Sequence, residues 1–256
     1  MALSIIGIGL NDEKDITVRG LELVKQADLV FLENYTSVMQ VPVGRLAGFY
    51  GKEVKLASRD IIESGAEDWI IGPALAKEVV VLVPGDVTSA TTHLDLISRA
   101  QRHGVPVTII HNTSIMTAVA DTGLSLYKFG KTTSIPYPQP GFNPETFYDV
   151  MLENRSIGAH TLMLLDLRPD LGKFMTVNEA LVQLLGISAK RKKKGLDEDT
   201  MVVGCARLGT PTAHLAYGQV KRLFAHNFGP PPHCLIVPGP LHFTEEEALK
   251  LHEVLR

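Results

Sequence analysis

Cysteines are scarce in this sequence and long apolar runs are missing, and each absence excludes a class of protein. Two cysteines in 256 residues cannot build a disulfide framework, which argues against an oxidising compartment. The longest apolar runs, such as 79–83 and 162–165, are far shorter than the roughly 18–20 residues that span a bilayer. No basic residue precedes Lys14, so the charged start of a signal peptide is missing. We therefore expect a cytoplasmic protein without a membrane partner.

An excess of positive charge is missing as well. The formal net charge is −3, so the chain lacks the general attraction to phosphate that a free nucleic-acid binder carries, and we expect no direct nucleic-acid partner. Hydrophobic residues at 45% and charged residues at 21% are typical of a globular protein of one large domain or two small ones. An enzyme or a non-catalytic binding module remains.

Several catalytic and metal-binding motifs are also absent. The sequence has no P-loop and no G-x-S-x-G elbow, which disfavours kinases and many hydrolases. Cys205 and Cys234 lie inside apolar patterns and are expected to be buried thiols. The histidines show no metal-ligand spacing, so we expect no metal site. The histidines considered are His93, His111, His160, His214 and His233.

Short β-branched runs alternate with helical segments in the first half of the chain. Such continuous apolar runs are typical of parallel strands that are buried on both faces. Thr17 is a candidate cap for one helix, and 91–103 has the spacing of another. The alternation predicts an α/β layer structure. The predicted strands are 3–8, 28–32, 53–56, 79–83 and 106–110.

The second half begins with a proline-rich connector, 134–141, which excludes a helix and a central strand there. Two later helices carry capping boxes, Thr176 with Glu179 and Thr244 with Glu247. The pattern of strands and capped helices in this half therefore predicts a second α/β unit with more widely spaced strands. Those strands are 160–165, 200–206 and 234–237.

The change of pattern predicts two α/β domains, residues 1–112 and 113–256. Within the second domain, 190–194 forms a block of five basic residues. Such a block is typical of a solvated loop between a helix and a strand. The alternative is a docking site for an acidic partner or a ribosomal surface.

A glycine turn, Gly7-Ile8-Gly9-Leu10, follows the first predicted strand. Glycine lets the backbone turn tightly and approach a ligand. The dinucleotide-binding motif needs a third glycine where this chain has Asp12, and an acid there would repel a pyrophosphate. A nicotinamide oxidoreductase is therefore disfavoured, while a simple turn and a cofactor loop both remain open.

Small polar residues follow two other predicted strands. Asp86 and Ser89 come after one strand, and His111 and Ser114 come after the next. Open α/β sheets bind ligands at the carboxyl ends of their strands, so these residues predict one shared pocket. Asp86 as a simple turn or helix-cap residue remains the alternative, and His111 taken alone is more often structural.

Three further blocks of the sequence are distinctive: Tyr35-Thr36-Ser37, Ala90-Thr91-Thr92-His93 and Tyr127-Lys128-Phe129-Gly130. In its glycine turn and in Pro84-Gly85-Asp86, the chain resembles the tetrapyrrole-methylase superfamily of S-adenosylmethionine-dependent methyltransferases. In the three further blocks it resembles one branch of that superfamily, the diphthine synthases. The resemblance runs along nearly the whole chain.

The resemblance implies two α/β domains of the tetrapyrrole-methylase type, with S-adenosylmethionine in the cleft between them, and a homodimer. Most contacts to the cofactor are expected through backbone groups. The family usually has Pro-Leu-Val or Pro-Phe-Gly where this chain has Val87-Thr88-Ser89. The implied cofactor-binding residues are Leu10, Asp86, Ser89, Ser114, Ile115, Leu165, Leu208 and His233.

The implied reaction is repeated methylation of the amino nitrogen of a 3-carboxy-3-aminopropyl group on a histidine of elongation factor 2, with S-adenosylhomocysteine as the by-product. This is the methylation step of diphthamide biosynthesis. The chain lacks the insertion that eukaryotic relatives carry after Leu165-Asp166, so the archaeal product, a trimethylated amine without a methyl ester, is expected. A methyltransferase acting on corrin or porphyrin precursors is the alternative, although it should lack the three specific blocks.

Methyl transfer to an amine requires alignment, exclusion of water and loss of a proton. The methyl group of a sulfonium is already activated, so positioning supplies much of the rate enhancement. An alkyl amine has an unperturbed pKa of about 10.4, like that of lysine, and an apolar cleft would lower it. The sequence assigns no general base, and His111, Asp86 and a solvent route all remain open.

Overall fold

The computed structural model describes residues 1–35, 37–191 and 195–254, without the side chain at position 170. Thr36 of the Tyr-Thr-Ser block and residues 192–194 of the basic block lie outside the described residues. The chain forms two compact units, one of Met1–Ala118 with Gly209–Pro211, the other of Val119–Leu208 with the residues from Thr212 onward. These units are defined by which residues pack together. The domain boundary after residue 112 stays a prediction.

The first unit contains a five-stranded sheet in the order β3-β2-β4-β1-β5. All of its strand pairs are parallel, as the continuous apolar runs predicted. The predicted strand limits are right to within two residues. The strands are β1 (Ala2–Gly7), β2 (Leu29–Glu33), β3 (Lys55–Ala57), β4 (Glu78–Val83) and β5 (Val107–Ile110).

Helices cover both faces of this sheet, because successive side chains of a strand point to opposite sides. Ile5 and Val81 belong to one apolar cluster, whereas Ile6 and Leu82 belong to the other. The first unit has two π-helical segments, Asp60–Ser64 and Glu67–Ile71. Its α-helices are α1 (Val18–Gln26), α2 (Val43–Tyr50), α3 (Gly72–Ala74), α4 (His93–Arg102) and α5 (Ile115–Ala118).

Two helix starts in the first unit test the sequence predictions. Thr17 caps α1, since its hydroxyl accepts a hydrogen bond from the Gly20 backbone N–H at 3.0 Å. The predicted start of α4 at residue 91 is wrong by two residues. Ala90 has a φ of 58°, which no α-helix accommodates, so the helix begins only after the turn.

The second unit contains a five-stranded sheet in the order β11-β10-β12-β7-β6 and a separate β8-β9 pair. Its sheet is mostly antiparallel, and only the pair of β6 with β7 is parallel. The sequence prediction missed β6, β8, β9 and β11, which are short or only half-buried. The strands are β6 (Thr133–Ile135), β7 (Thr161–Leu165), β8 (Leu167–Arg168), β9 (Lys173–Phe174), β10 (Met201–Ala206), β11 (His214–Gln219) and β12 (His233–Val237).

One of the two capping boxes predicted in the second unit is confirmed. Thr176 and Glu179 form it at the start of α7. The box of Thr244 with Glu247 is wrong, because α9 begins two residues earlier than that box predicts, at Phe243 with His242 as its cap. The α-helices are α6 (Thr146–Ser156), α7 (Val177–Lys190), α8 (Val220–Leu223) and α9 (Phe243–Lys250), with 3₁₀ turns at Val119–Thr122, Leu126–Lys128 and Pro169–Leu171.

The two cysteines are buried and unbonded, as predicted. They face each other across β10 and β12, with Cys205 paired in register with Cys234. A hydrogen bond with Cys234, together with burial, raises the pKa of Cys205 well above its usual value. Within the described ranges, no helix is long and apolar enough to cross a membrane.

Candidate active site

The glycine turn after β1 is closed by an acidic side chain. The Asp15 carboxylate accepts hydrogen bonds from the backbone N–H groups of Leu10 at 3.2 Å and Asn11 at 2.8 Å. Gly9 has a φ of 75°, and a Cβ there would lie 2.5 Å from the Cβ of Asp15, so only glycine fits. Because a carboxylate already occupies these amides, the turn does not offer them to a phosphate, which is a further argument against a dinucleotide site.

Asp86, directly after β4, is the centre of a polar network. Its Oδ1 accepts from the Thr88 N–H at 2.9 Å and from the hydroxyls of Thr88 and Ser89 at 3.1 Å. Its Oδ2 accepts from His111 Nδ1 at 2.8 Å and the Asn112 N–H at 3.0 Å. Burial favours a raised pKa for Asp86, but these hydrogen bonds outweigh it and hold the pKa well below its usual range. Asp86 therefore carries a charged carboxylate, and through its contact with the Thr88 N–H it is also a turn residue.

Asn112 was not predicted as a functional residue, although it lies beside His111 after β5. Its side-chain amide donates to the carbonyls of Gly7 at 2.9 Å and Asp15 at 3.0 Å. A Cβ on Gly7 would lie 2.7 Å from the Gly85 carbonyl oxygen, so the two strand ends approach too closely for any other residue. Asn112 thus fixes the end of β5 against the end of β1.

The predicted cofactor residues of the first unit gather at this edge of its sheet. The position of a Cβ on Gly85 lies 3.6 Å from Leu10 Cδ2, 3.8 Å from the Thr113 carbonyl oxygen and 4.0 Å from Ser114 Cα. The Ser114 hydroxyl accepts from the Met116 N–H at 3.2 Å at the start of α5. The remaining members of the set are Asp86 and Ser89, joined by their hydrogen bond, and Ile115, the first residue of α5.

The predicted cofactor residues of the second unit also share one edge of its sheet. Leu165 ends β7, His233 begins β12 and Leu208 follows β10 by two residues. The register supports this, because Leu164 pairs with Cys234 and Ala206 pairs with His233. Leu165, Leu208 and His233 are all buried.

The His233 ring is fully engaged within the second unit. Its Nδ1 accepts from the Val177 N–H at 3.4 Å, and its Nε2 lies 3.0 Å from the Gly229 carbonyl oxygen and 3.2 Å from that of Pro230. Since the carbonyls can only accept, Nε2 carries the proton. Because Nδ1 accepts a hydrogen bond, the ring is neutral, and burial, which lowers the pKa of His233, favours the same form. His233 can meet a ligand through its backbone rather than its ring.

Arg207 is a buried residue of this edge that the sequence did not single out. Its guanidinium donates to the carbonyls of Thr212 and Phe228, both at 3.1 Å, and so joins two loops. Arg207 has a φ of 52°, and such strain clusters at functional sites. Among the described residues, the other non-glycine residue with positive φ is Ala90. Ala90 and Arg207 each adjoin a predicted cofactor residue in sequence.

Two of the blocks that carry the resemblance bring buried polar groups together in the first unit. Glu33 is fully buried at the end of β2, and its Oε1 accepts from the Tyr35 N–H at 2.5 Å. His93 is fully buried at the start of α4. Burial lowers the pKa of His93, whereas the charge of Glu33 opposes that effect. These residues are not accessible to a ligand, and their contacts fix the ends of β2 and α4.

The third block, residues 127–130, supports α9 in the second unit through the contact of Lys128 with Glu245. Burial favours a raised pKa for Glu245, but its hydrogen bonds outweigh burial and lower the pKa to about 2. The His160 ring is neutral and fully buried, since its Nδ1 accepts from the Gly239 N–H at 2.9 Å and burial lowers its pKa. The donors to Glu245 are Lys128 Nζ, His160 Nε2 and the backbone N–H groups of Ser125 and His242.

In the parts of the chain that the structure describes, no group of three or more His, Cys, Asp and Glu residues is arranged to hold a metal ion. The edge of the first unit offers backbone groups, apolar side chains and the hydrogen-bonded carboxylates of Asp15 and Asp86. The edge of the second unit offers backbone groups and apolar side chains. This composition suits an organic ligand with polar edges and apolar faces.

Comparison with known proteins defines the class to which the chain belongs. Residues 2–223 match the family of Tetrapyrrole (Corrin/Porphyrin) Methylases. The chain is 43% identical over 249 residues to the diphthine synthase of Methanococcus vannielii, covering 97% of both proteins. It superimposes on a crystal structure of diphthine synthase with a TM-score of 0.90 at 38% identity, covering 99% of this chain and 96% of the other.

A plant protein is similar to the same degree. It is described as a probable diphthine methyl ester synthase from Arabidopsis thaliana, and it is 42% identical over 272 aligned positions, covering 98% of both chains. The alignment is longer than this chain, so the plant protein carries residues that this chain lacks. By its family, the chain is a methyltransferase. It belongs, within the tetrapyrrole methylases, to the diphthine synthases.

Proposed function

We propose that this protein transfers methyl groups from S-adenosylmethionine to the amino nitrogen of a 3-carboxy-3-aminopropyl group on a histidine of elongation factor 2. This reaction belongs to diphthamide biosynthesis, in the cytoplasm. The observation that carries the proposal is the gathering of Leu10, Ser89 and Ser114 around the Gly85-Asp86 turn, in a chain that belongs to the diphthine synthases.

The residues present fit S-adenosylmethionine in a particular way. The side chains of Asp86 and His233 already have their hydrogen bonds within the protein. Leu10 and Ile115, which are both partly exposed, offer apolar surface, whereas Leu208 is buried. The adenosyl group would therefore be held by backbone groups and apolar contacts, as the family resemblance implies.

When bound, S-adenosylmethionine supplies a methyl group activated on a sulfonium. The chain's own contribution is to position the two reactants and to exclude water. Asp86 fixes the loop at the end of β4 through Thr88 and Ser89. Asn112 fixes the neighbouring end of β5. These contacts form a rigid frame for a reaction that depends on alignment.

We further propose that the product is the trimethylated amine without a methyl ester, since the chain is shorter than its alignment with the plant protein. The test incubates the protein with labelled S-adenosylmethionine and unmethylated elongation factor 2 and follows the mass in steps of one methyl group. Three alkali-stable steps are expected, whereas an alkali-labile methyl group would indicate the ester. Elongation factor 2 without its target histidine is the control.

The same experiment discriminates the alternative functions. A tetrapyrrole precursor offered in parallel should accept no methyl group. Transfer to that precursor and none to elongation factor 2 would overturn the proposal. A protein that bound S-adenosylmethionine but transferred nothing to either acceptor would be a binding module.

The homodimer implied by the resemblance belongs to the same proposal. Sedimentation equilibrium should give twice the chain mass of 27.9 kDa at micromolar concentration. A monomer mass at every concentration would contradict the dimer without affecting the proposed reaction.

A further inference from the structure

Methylation of an amine requires a proton acceptor, and the search for that acceptor in this protein rests on the proposed function. An alkyl ammonium group has no lone pair, so each methyl transfer must be preceded by loss of a proton. Conversion of a primary ammonium to a trimethylated one therefore releases three protons. The acceptor must lie at the cofactor edge, must hold a free lone pair and must be accessible to the substrate.

Asp86 does not meet these conditions. Five donor contacts converge on its carboxylate, which occupies the roughly four lone-pair positions that a carboxylate offers. Its side chain is only 7% exposed. Hydrogen bonds that stabilise the charged form also make it a weak base. Asp86 therefore anchors its neighbours and does not receive the substrate proton.

The other charged and titratable groups near this edge are also occupied or inaccessible. Asp15, in the loop between β1 and α1, accepts from the Leu10 and Asn11 amides. His93, at the start of α4, is fully buried. In the described part of the first unit, Asp86, Asp15 and His111 are the titratable groups whose hydrogen bonds reach residues that follow the carboxyl ends of β1, β4 and β5. Asp15 is engaged through its Oδ2, which holds the glycine turn.

His111 meets all three conditions. Because the Asp86 carboxylate carries no proton, the 2.8 Å contact requires the hydrogen on His111 Nδ1. In its neutral form the ring then carries its lone pair on Nε2. The His111 side chain is 67% exposed, and its backbone follows β5 beside Asn112. The buried carboxylate thus fixes both the tautomer and the direction of an exposed base, the arrangement used by histidine general bases.

We propose that Nε2 of His111 accepts the proton of the substrate ammonium before each methyl transfer, with Asp86 as the positioning residue that fixes the ring. The nitrogen–hydrogen bond breaks and its electron pair stays on nitrogen. That pair forms the new bond to the methyl carbon, while the carbon–sulfur bond breaks towards sulfur and leaves a neutral thioether. The imidazolium of His111 returns its proton to solvent before the next transfer.

The test compares wild type with His111→Asn, whose amide can still donate to Asp86 but has no basic nitrogen. His103→Asn is the matched control, because His103 is an exposed histidine of the same unit at the end of α4. Single-turnover methylation of elongation factor 2 should be slowed by about a hundredfold or more in His111→Asn, the range of general base catalysis. The control should match wild type. Affinity for S-adenosylmethionine, measured by calorimetry, should be unchanged in both variants.

Two further measurements separate a base from a purely structural residue. Imidazole added to His111→Ala should restore part of the rate, since it supplies the missing base. The loss in His111→Asn should also shrink as the pH rises from 7 towards 9.5, because a growing fraction of the amine then loses its proton to water.

Each remaining outcome overturns the inference. An unchanged rate in His111→Asn, or a pH-independent loss without rescue by imidazole, would show that His111 is not the proton acceptor. A parallel loss of affinity for S-adenosylmethionine would make it a binding residue instead. A wild-type protein that methylates no elongation factor 2 would overturn the proposed function, and this inference with it.

Discussion

At the residue scale, Asp86 shows how one side chain organises a site. Its carboxylate joins residues that follow β4, Thr88 and Ser89, to residues that follow β5, His111 and Asn112. Such charge-assisted hydrogen bonds are stronger than those between neutral groups. Removing the carboxylate leaves several donors unpaired at once, with a penalty of about 1–3 kcal/mol for each buried group.

Asp86→Ala should therefore weaken S-adenosylmethionine binding by tenfold or more, because the loops at both strand ends lose their common anchor. Isothermal titration calorimetry measures this affinity. A free energy of unfolding lower by at least about 2 kcal/mol is expected in urea. If the alanine variant does not fold, Asp86→Asn provides a milder change at the same position. A folded variant with wild-type affinity would remove Asp86 from the proposed cofactor site.

Glu245 carries a prediction about acid stability. Its pKa is lowered from 4.5 to about 2 in the folded protein. A lowered folded-state pKa means that the charged group stabilises the fold above pH 4.5, and that this contribution is lost as the pH falls towards 2. Glu245→Gln should therefore reduce the free energy of unfolding at pH 7 by about 3 kcal/mol.

The measurement is urea denaturation of wild type and Glu245→Gln between pH 7 and pH 2. The two stability curves should converge as the pH falls. Glu247→Gln is the matched control, since Glu247 is exposed on the same helix and should change stability little. Parallel curves for wild type and Glu245→Gln would contradict the assigned role.

At the element scale, the helix starts show where local sequence decides and where it does not. Thr176 caps α7 because its hydroxyl accepts from the Glu179 N–H at 3.2 Å, while Oε2 of Glu179 accepts from the Thr176 N–H at 2.7 Å. Thr244 offers the same local pattern with Glu247. Yet α9 begins before Thr244, because the buried Glu245 must face His160 and Lys128.

Thr176→Ala should lower the free energy of unfolding by about 1 kcal/mol, the usual contribution of such a cap. Thr244→Ala should cost clearly less, since Thr244 lies inside the first turn of α9 and does not cap it. Thermal and urea denaturation of the two variants test this difference. Equal losses would mean that α9 begins at Thr244 in solution.

The strands also differ in how far the local sequence predicts them. The five parallel strands of the first unit were predicted because burial on both faces leaves a continuous apolar run. In contrast, β11 is only half-buried and gives no such run. β6 has three residues at a sheet edge, too few for a pattern to emerge. The sequence signal of a strand therefore depends on how completely the tertiary structure buries it.

At the scale of the whole molecule, the basic block 190–194 concerns the partner. Arg191 already forms ion pairs with Glu145 and Asp149, so it is engaged within the second unit. Lys190 ends α7. We propose that the lysines of the block attract an acidic surface of elongation factor 2, since charges at the rim of an interface act mainly on the association rate.

Replacing Lys190, Lys192, Lys193 and Lys194 by Ser, with Arg191 retained, should lower kcat/KM severalfold at low salt. The salt dependence of kcat/KM should flatten as well, because screening acts on these charges. Steady-state methylation at several salt concentrations measures both effects. A control with four other exposed lysines replaced should remain near wild type. The control lysines are Lys25, Lys55, Lys77 and Lys250. If the salt dependence of kcat/KM is unchanged, the basic block is a solvated loop without a role in docking.

The sequence by itself determined the α/β class, the parallel strands, the blocks that carry the family resemblance and the burial of the two cysteines. These features depend on residues close together in the chain, where periodicity and local motifs are visible. The domain boundary, which comes from the change of pattern along the chain, and the set of cofactor residues, which comes from the resemblance, stay predictions.

Only the tertiary structure decided what the polar side chains do. Asp86 meets His111 and Asn112 across 25 and 26 residues of chain, and Asn112 meets Gly7 across 105. The structure also showed that the His233 ring is engaged and that Arg207 joins two loops. A hydrogen bond between distant residues has no periodic signal in the sequence, since it depends on how strands from separate parts of the chain are aligned in one sheet.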